Sequence, residues 1–138
     1  MKIIFVDTGA WIGLAVSRDQ SHSAAAAFAA DLVKKGLPLL TTNYVLLEAH
    51  TRIRYDDGHA KAMIFDTLLR EMVRRRQLTI AWITPHIHEL AMETFRNYSD
   101  QELSVVDCSS IVVAKAKKIR EVFGFDSDFA KLGFILRP

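Results

Sequence analysis

At 138 residues, half of them hydrophobic, the chain can bury one sizeable core but is too short for two ordinary domains, so a single domain over 1–138 is expected. Its 18 Lys and Arg against 16 Asp and Glu leave a formal charge of +2, which excludes a protein drawn to nucleic acid or membrane by its overall field; anions must be bound by local patches. The single cysteine, Cys108, excludes an internal disulfide framework and fits a reducing cytoplasm, and Ile111 and Val112 nearby mark it as a small core residue rather than a nucleophile.

In chain order, residues 2–6 form a short apolar run rich in β-branched side chains, which predicts a strand buried on both faces of a parallel sheet. Asp7 interrupts that run at once, so it is neither a signal peptide nor a membrane span, and a cytoplasmic protein is expected. Helices are predicted around 10–16 and 21–35, the second stopped by Lys34-Lys35-Gly36. A second strand over 37–41 leads into a helix capped by Thr42 or Asn43 and running to about residue 54. Asp57-Gly58 breaks it, and a further helix reaches about residue 76. A third strand follows over 78–82, and Pro85 opens a helix to about residue 97. Residues 104–120 read as helix, 122–125 as a fourth strand and 133–136 as a fifth. Strands alternating with helices predict an α/β three-layer sandwich with a mainly parallel central sheet of four to five strands.

That pattern settles a question raised by Val6-Asp7-Thr8-Gly9-Ala10. Asp-Thr-Gly-Ala is the stretch that carries the catalytic aspartate in retroviral-type aspartic proteases, but those are all-β, whereas most of this chain has helical periodicity. The Asp-x-Asp of haloacid-dehalogenase phosphatases is also absent, since position 9 is Gly.

Ligands of an open α/β sheet sit outside the carboxyl ends of the strands, where the strand order switches. Asp7 ends the first strand and Asp126 follows the fourth. Glu48, in Tyr44-Val45-Leu46-Leu47-Glu48-Ala49, and Asp107, in Leu103-Ser104-Val105-Val106-Asp107-Cys108, are lone carboxylates in apolar settings, which is costly without compensation. Each has an ordinary structural role open to it. Asp7 can cap a helix, Glu48 can pair with Arg52 one turn on, Asp107 can close a capping box with Ser104, and Asp126 can belong to a turn. Taken together, however, four converging carboxylates repel one another unless a hard cation such as Mg²⁺ or Mn²⁺ neutralises them. One or two such ions suit phosphodiester hydrolysis by in-line displacement.

On Phe5-Val6-Asp7-Thr8, Thr42-Asn43-Tyr44-Val45-Leu46-Leu47-Glu48, Leu103-Ser104-Val105-Val106-Asp107-Cys108 and Phe125-Asp126-Ser127-Asp128-Phe129, in that order and spacing, the chain resembles the PIN domains, and among them the VapC-like toxins. The resemblance spans nearly the whole chain. It implies an endoribonuclease whose catalytic and metal-binding residues are Asp7, Glu48, Asp107 and Asp126, with Mg²⁺ or Mn²⁺ as cofactor and Thr8 supporting the site. Asp128 competes with Asp126 for the fourth place. The resemblance further implies a toxin held in check by a cognate antitoxin, and a homodimer, for which Met63, Ile64, Leu68 and Met72 on the helix within 60–73 offer apolar surface. The alternatives are a PIN-like module that binds RNA or protein without cutting, and a DNA-directed nuclease.

RNA phosphates need positive surroundings. Lys115 and Lys118, on the helix that begins near Asp107, are expected to flank the site as RNA-binding residues. The stretch 72–77 and Lys117 with Arg120 read as solvated helix faces. His86 and His88 are two residues apart and lack the helical His-Glu-x-x-His spacing for zinc. Trp11 and Trp82 are expected in the core, and Ser21 and Ser23 have no His-Asp partners that would make a serine hydrolase.

Overall fold

Ile4-Phe5-Val6 forms β1 (Ile4–Val6), every residue of it buried, at the centre of a parallel sheet. In the computed structural model, which describes residues 2–138, β1 pairs on one side with β2 (Leu39–Thr42) and on the other with β4 (Glu121–Phe123). The registers set Ile4 beside Leu39 and beside Glu121. β3 (Leu78–Ala81) joins the outer edge of β2, and β5 (Ile135–Arg137) that of β4, giving the order β3-β2-β1-β4-β5 with every pair parallel. The chain leaves β1 toward β2 and later returns to its other side with β4. That reversal opens a crevice at the carboxyl ends of β1 and β4, the place where a sheet of this kind takes its ligand.

Among the described residues, seven helices flank the sheet: α1 (Thr8–Ala15), α2 (His22–Lys35), α3 (Asn43–Asp57), α4 (His59–Arg74), α5 (Pro85–Asn97), α6 (Val105–Ala116) and the single turn α7 (Asp128–Lys131). Their ends follow the local sequence. Thr42 Oγ1 accepts from Val45 N at 3.1 Å to start α3, and Thr84 with Pro85 starts α5. Gly36 closes α2 at φ 65°, a left-handed conformation that glycine adopts without steric cost. Gly58, at φ 92°, turns α3 directly into α4. None of the helices is long and apolar enough to cross a membrane.

The core forms around Phe5, Trp11, Phe123 and Phe129, which are almost wholly buried. Trp11 Nε1 donates to Thr41 Oγ1 at 3.2 Å, and that hydroxyl donates to the Val6 carbonyl at 2.9 Å. This relay satisfies the indole inside the core and fixes α1 against the strands that end at the crevice.

The predicted three-layer architecture and its parallel sheet hold, with five strands. Some local expectations do not, and the second and fifth strands start two residues later than expected, at Leu39 and Ile135. The helix expected over 104–120 stops at Ala116, because Lys118 turns left-handed at φ 57° and Ile119 N donates back to the Ala114 carbonyl at 2.8 Å. The fourth strand lies over Glu121–Phe123, displaced toward the N-terminus from the predicted 122–125. Helix α7 was not expected, since four residues carry too little periodicity. Trp82 is 68% exposed rather than core, because it lies just beyond β3 at the edge of the sheet. Cys108 and Trp11 are buried as expected.

Candidate active site

The end of β1 places the first acid. Asp7 N still donates to the Phe123 carbonyl at 2.9 Å, so the residue is tied to β4 as well as to its own strand. Its carbonyl accepts from Ala10 N at 3.1 Å and starts α1, yet its carboxylate makes no capping hydrogen bond. The side chain points instead into a cleft of about 530 Å³. There it is 4% exposed and Oδ1 has no partner. Burial pushes the Asp7 pKa from the ordinary 3.8 up to about 7, with Asp107, Asp126 and Glu48 pushing the same way against the opposing Thr8 amide.

Glycine makes this placement possible. A Cβ added at Gly124, just past β4, would lie 3.1 Å from Asp7 Cβ and 3.5 Å from Asp7 Oδ2. Any other residue there would press on the Asp7 Cβ and make that side chain give by a few tenths of an ångström. Sequence reading passed over Gly124, although a glycine at the end of a strand is the usual sign of close approach by another group.

The remaining acids reach the same cleft from three further elements. Glu48 extends from α3, and among the ion pairs of the described residues there is none between it and Arg52, so the structural role considered for it is not used. Asp107 lies in the first turn of α6. Its Oδ2 accepts from Ser104 N at 3.0 Å while its own amide donates to Ser104 Oγ at 3.0 Å, a complete capping box. The carboxylate still lines the cleft, so capping and site are not alternatives here. One oxygen orients the group and Oδ1 is left over. Burial raises the Asp107 pKa, as do Asp126 and Glu48, against the Ser104 hydrogen bonds. Asp126 follows Gly124-Phe125, and its Oδ1 accepts from Asp128 N at 3.0 Å in a local turn that holds the side chain at the cleft.

Thr8 also lines the cleft, and its Oγ1 is buried without a partner. Asp128 does not line it; its carboxylate faces Lys131 Nζ at 3.4 Å. The structure thus brings together Asp7, Thr8, Glu48, Asp107 and Asp126 and leaves Asp128 outside. Lys115 and Lys118 do not flank the cleft, contrary to expectation. Lys115 sits in the last turn of α6, eight residues beyond Asp107 and about 12 Å along the helix. Lys118 borders a different hollow, with Lys2, Ile3 and Arg120 at the starting ends of the strands. A helix that begins at the site carries its far end away from it. Sequence reading also missed Arg52 as a cleft residue, having treated it only as a partner for Glu48. His88 is engaged elsewhere, its Nδ1 2.9 Å from Tyr44 Oη.

The donor set suits a hard divalent cation. It is all oxygen, it concentrates negative charge, and it includes two buried oxygens, on Asp7 and Thr8, that lack a partner. Among the described residues no three His, Cys, Asp or Glu side chains are gathered tightly enough to make a ready-formed cage. The carboxylates line the cleft from separate elements without converging on one point.

The family model described as PIN domain matches residues 4–135. The chain belongs to the PIN-domain family. Among PIN proteins, it is 31% identical over 137 residues to the Mycobacterium tuberculosis protein named 23S rRNA-specific endonuclease VapC20, covering 99% of each chain. The crystal structure of Mycobacterium tuberculosis VapC20, described as a Sarcin-Ricin loop cleaving toxin, superposes with a TM-score of 0.83 at 30% identity, over 98% of this chain and 99% of that one. VapBC2 from Rickettsia felis, solved bound to a DNA fragment from its promoter, shares the PIN fold with a TM-score of 0.70 at 12% identity, over 98% and 97% of the two chains.

Proposed function

We propose that this PIN domain, acting over the whole chain, is an endoribonuclease that hydrolyses RNA phosphodiester bonds with Mg²⁺ or Mn²⁺ held by Asp7, Glu48, Asp107 and Asp126. The observation that carries the reading is the buried Asp7 carboxylate, whose Oδ1 has no partner, set among three other acids at the strand-order switch. A folded protein keeps such a group at a cost, and here the cost is met by a function. When bound, the ion would supply Lewis-acid stabilisation of charge developing on the phosphate and lower the pKa of a bound water.

The chain's own residues do the positioning. Asp7 is half-protonated near pH 7 and gives up its proton when a cation takes the site. The capping box aims Asp107 by holding Oδ2, and the turn at Asp128 N aims Asp126 by holding Oδ1. The Thr8 hydroxyl is free to hydrogen-bond within the cleft. The relay from Trp11 through Thr41 to Val6 holds rigid the strand end from which Asp7 projects.

RNA is preferred over DNA because the relative at 31% identity is named for cleavage of an rRNA. The same kinship supports a toxin restrained by a cognate antitoxin protein, working in the cytoplasm, where the buried thiol of Cys108 would stay reduced. A homodimer is supported by α4, which exposes Met63, Ile64 and Leu68 to roughly half or more while Met72 is half-buried. Incubating purified protein with single-stranded RNA in Mn²⁺ and in excess chelator tests the reading. Cleavage confined to the metal condition supports it, and cleavage undiminished by chelator refutes it.

A further inference from the structure

Arg52 follows Glu48 by one turn of α3, a spacing at which opposite charges ordinarily pair. Here they do not. Arg18, Arg70, Arg74, Arg75 and Arg137 each have a carboxylate within 4.0 Å, whereas among the described residues Arg52, like Arg54, Arg76, Arg96 and Arg120, forms no such pair. It is nevertheless the one cation among the residues lining the acid cleft. It also borders a second depression of about 360 Å³, whose walls include Tyr44, Leu47, Thr51 and Val106. Glu48 and Arg52 are common to both hollows, so the guanidinium stands on the ridge where the cleft opens sideways over α3.

A single exposed cation cannot neutralise four acids, and its placement is not that of a structural partner. A planar guanidinium with unengaged donors fits two oxygens of a phosphate. It lies one helical turn beyond Glu48 and lines both hollows, so it stands on the way out of the acid cleft over α3. The next phosphate along a strand leaving the cleft over α3 would meet it. We propose that Arg52 is a substrate-binding residue that holds the phosphate adjacent to the one cleaved. The proposal rests on the nuclease reading above and adds to it the direction in which the strand leaves the site.

The test is the salt dependence of cleavage. Single-stranded RNA is cleaved in Mn²⁺ by the parent, Arg52→Gln, Arg52→Lys and Arg54→Gln over a range of KCl concentrations. Arg54→Gln makes the same charge change two residues away, at an exposed position that does not line the cleft. Arg52→Gln should lower kcat/KM about 10–100-fold, mainly through KM. The slope of log kcat/KM against log salt should become less negative by about 0.7, the value of one phosphate contact to a single strand. Arg52→Lys should recover part of the loss and the parent's slope, and Arg54→Gln should match the parent in both. Parent-like KM and slope in Arg52→Gln, or an equal loss in Arg54→Gln, would overturn the assignment while leaving the nuclease reading intact. A loss accompanied by a halved mass in light scattering, with the slope unchanged, would overturn it too and give the ridge to a second copy. Failure of the parent itself to cleave would reject the nuclease reading and this inference with it.

Discussion

Replacing Asp7 by Asn removes a charge that the metal-free fold tolerates poorly, and the effect should appear as a change in how stability depends on pH. The Asp7 carboxyl titrates at about 7 in the folded protein against an ordinary 3.8. Between those values the folded state binds more protons than the unfolded one, so stability is lost as pH rises through the window and is lowest above pH 7. A gap of about three pH units, at about 1.36 kcal/mol each, amounts to about 4 kcal/mol at most. With about 2.1 cal/mol/K of unfolding entropy per residue over 138 residues, 1 kcal/mol corresponds to about 3–4 °C in Tm. Asn has nearly the same shape and does not ionise. Any cost of its amide is constant with pH, so the informative quantity is the difference between the two proteins followed from about pH 4 to pH 8. In chelator, the Tm of Asp7→Asn relative to the parent should climb by about 10 °C over that range. Mn²⁺ at pH 8 should raise the parent's Tm by mass action and the variant's hardly at all. Parallel Tm profiles for the two proteins in chelator would refute the claim that burial and the neighbouring acids raise the Asp7 pKa at this site.

Asp107 serves both the capping box and the cleft, so Asp107→Asn, which keeps an oxygen acceptor for Ser104 N, should change stability in chelator by less than about 1 kcal/mol, whereas Asp107→Ala should lose about 1 kcal/mol as the bond from Ser104 N is lost. In thermal melts neither variant should respond to Mn²⁺ as the parent does, and a full response would remove Asp107 from the metal site. Asp126→Asn should reduce RNA cleavage at least tenfold more than Asp128→Asn, because only Asp126 lines the cleft; equal losses in an initial-rate assay would show that the turn, not the single carboxylate, matters. Thr41→Val leaves the buried Trp11 N–H without its acceptor and should cost about 2 kcal/mol in urea denaturation, with an unchanged midpoint counting against the relay.

The parallel sheet was legible because its strands are short, β-branched and buried on both faces, and because glycine and proline mark the turns between them. Glu48 and Asp107 stood out as charges in apolar surroundings, and Asp7 and Asp126 by their places after strands. What the sequence concealed was direction and distance. Lys115 shares α6 with Asp107 but lies near its far end, and Lys118 falls past the end of the helix beside a hollow at the starting ends of the strands. Trp82 resembles a core residue by its apolar neighbours, yet it falls one residue past an edge strand. Arg52 and Gly124 matter through contacts with groups distant in the chain, and periodicity does not register those. The capping box and the cleft looked like competing roles for Asp107 because a sequence does not show that the two oxygens of one carboxylate face different partners.

The most direct measurement is the cleavage of a defined single-stranded RNA by the purified protein across a titration of Mn²⁺, after exhaustive chelation, alongside Asp7→Asn. Product should be absent without metal, return as Mn²⁺ is added and be reduced at least a hundredfold in the variant at saturating metal. Cleavage by the chelated parent, or a variant as active as the parent, would contradict a metal-dependent nuclease built on this carboxylate.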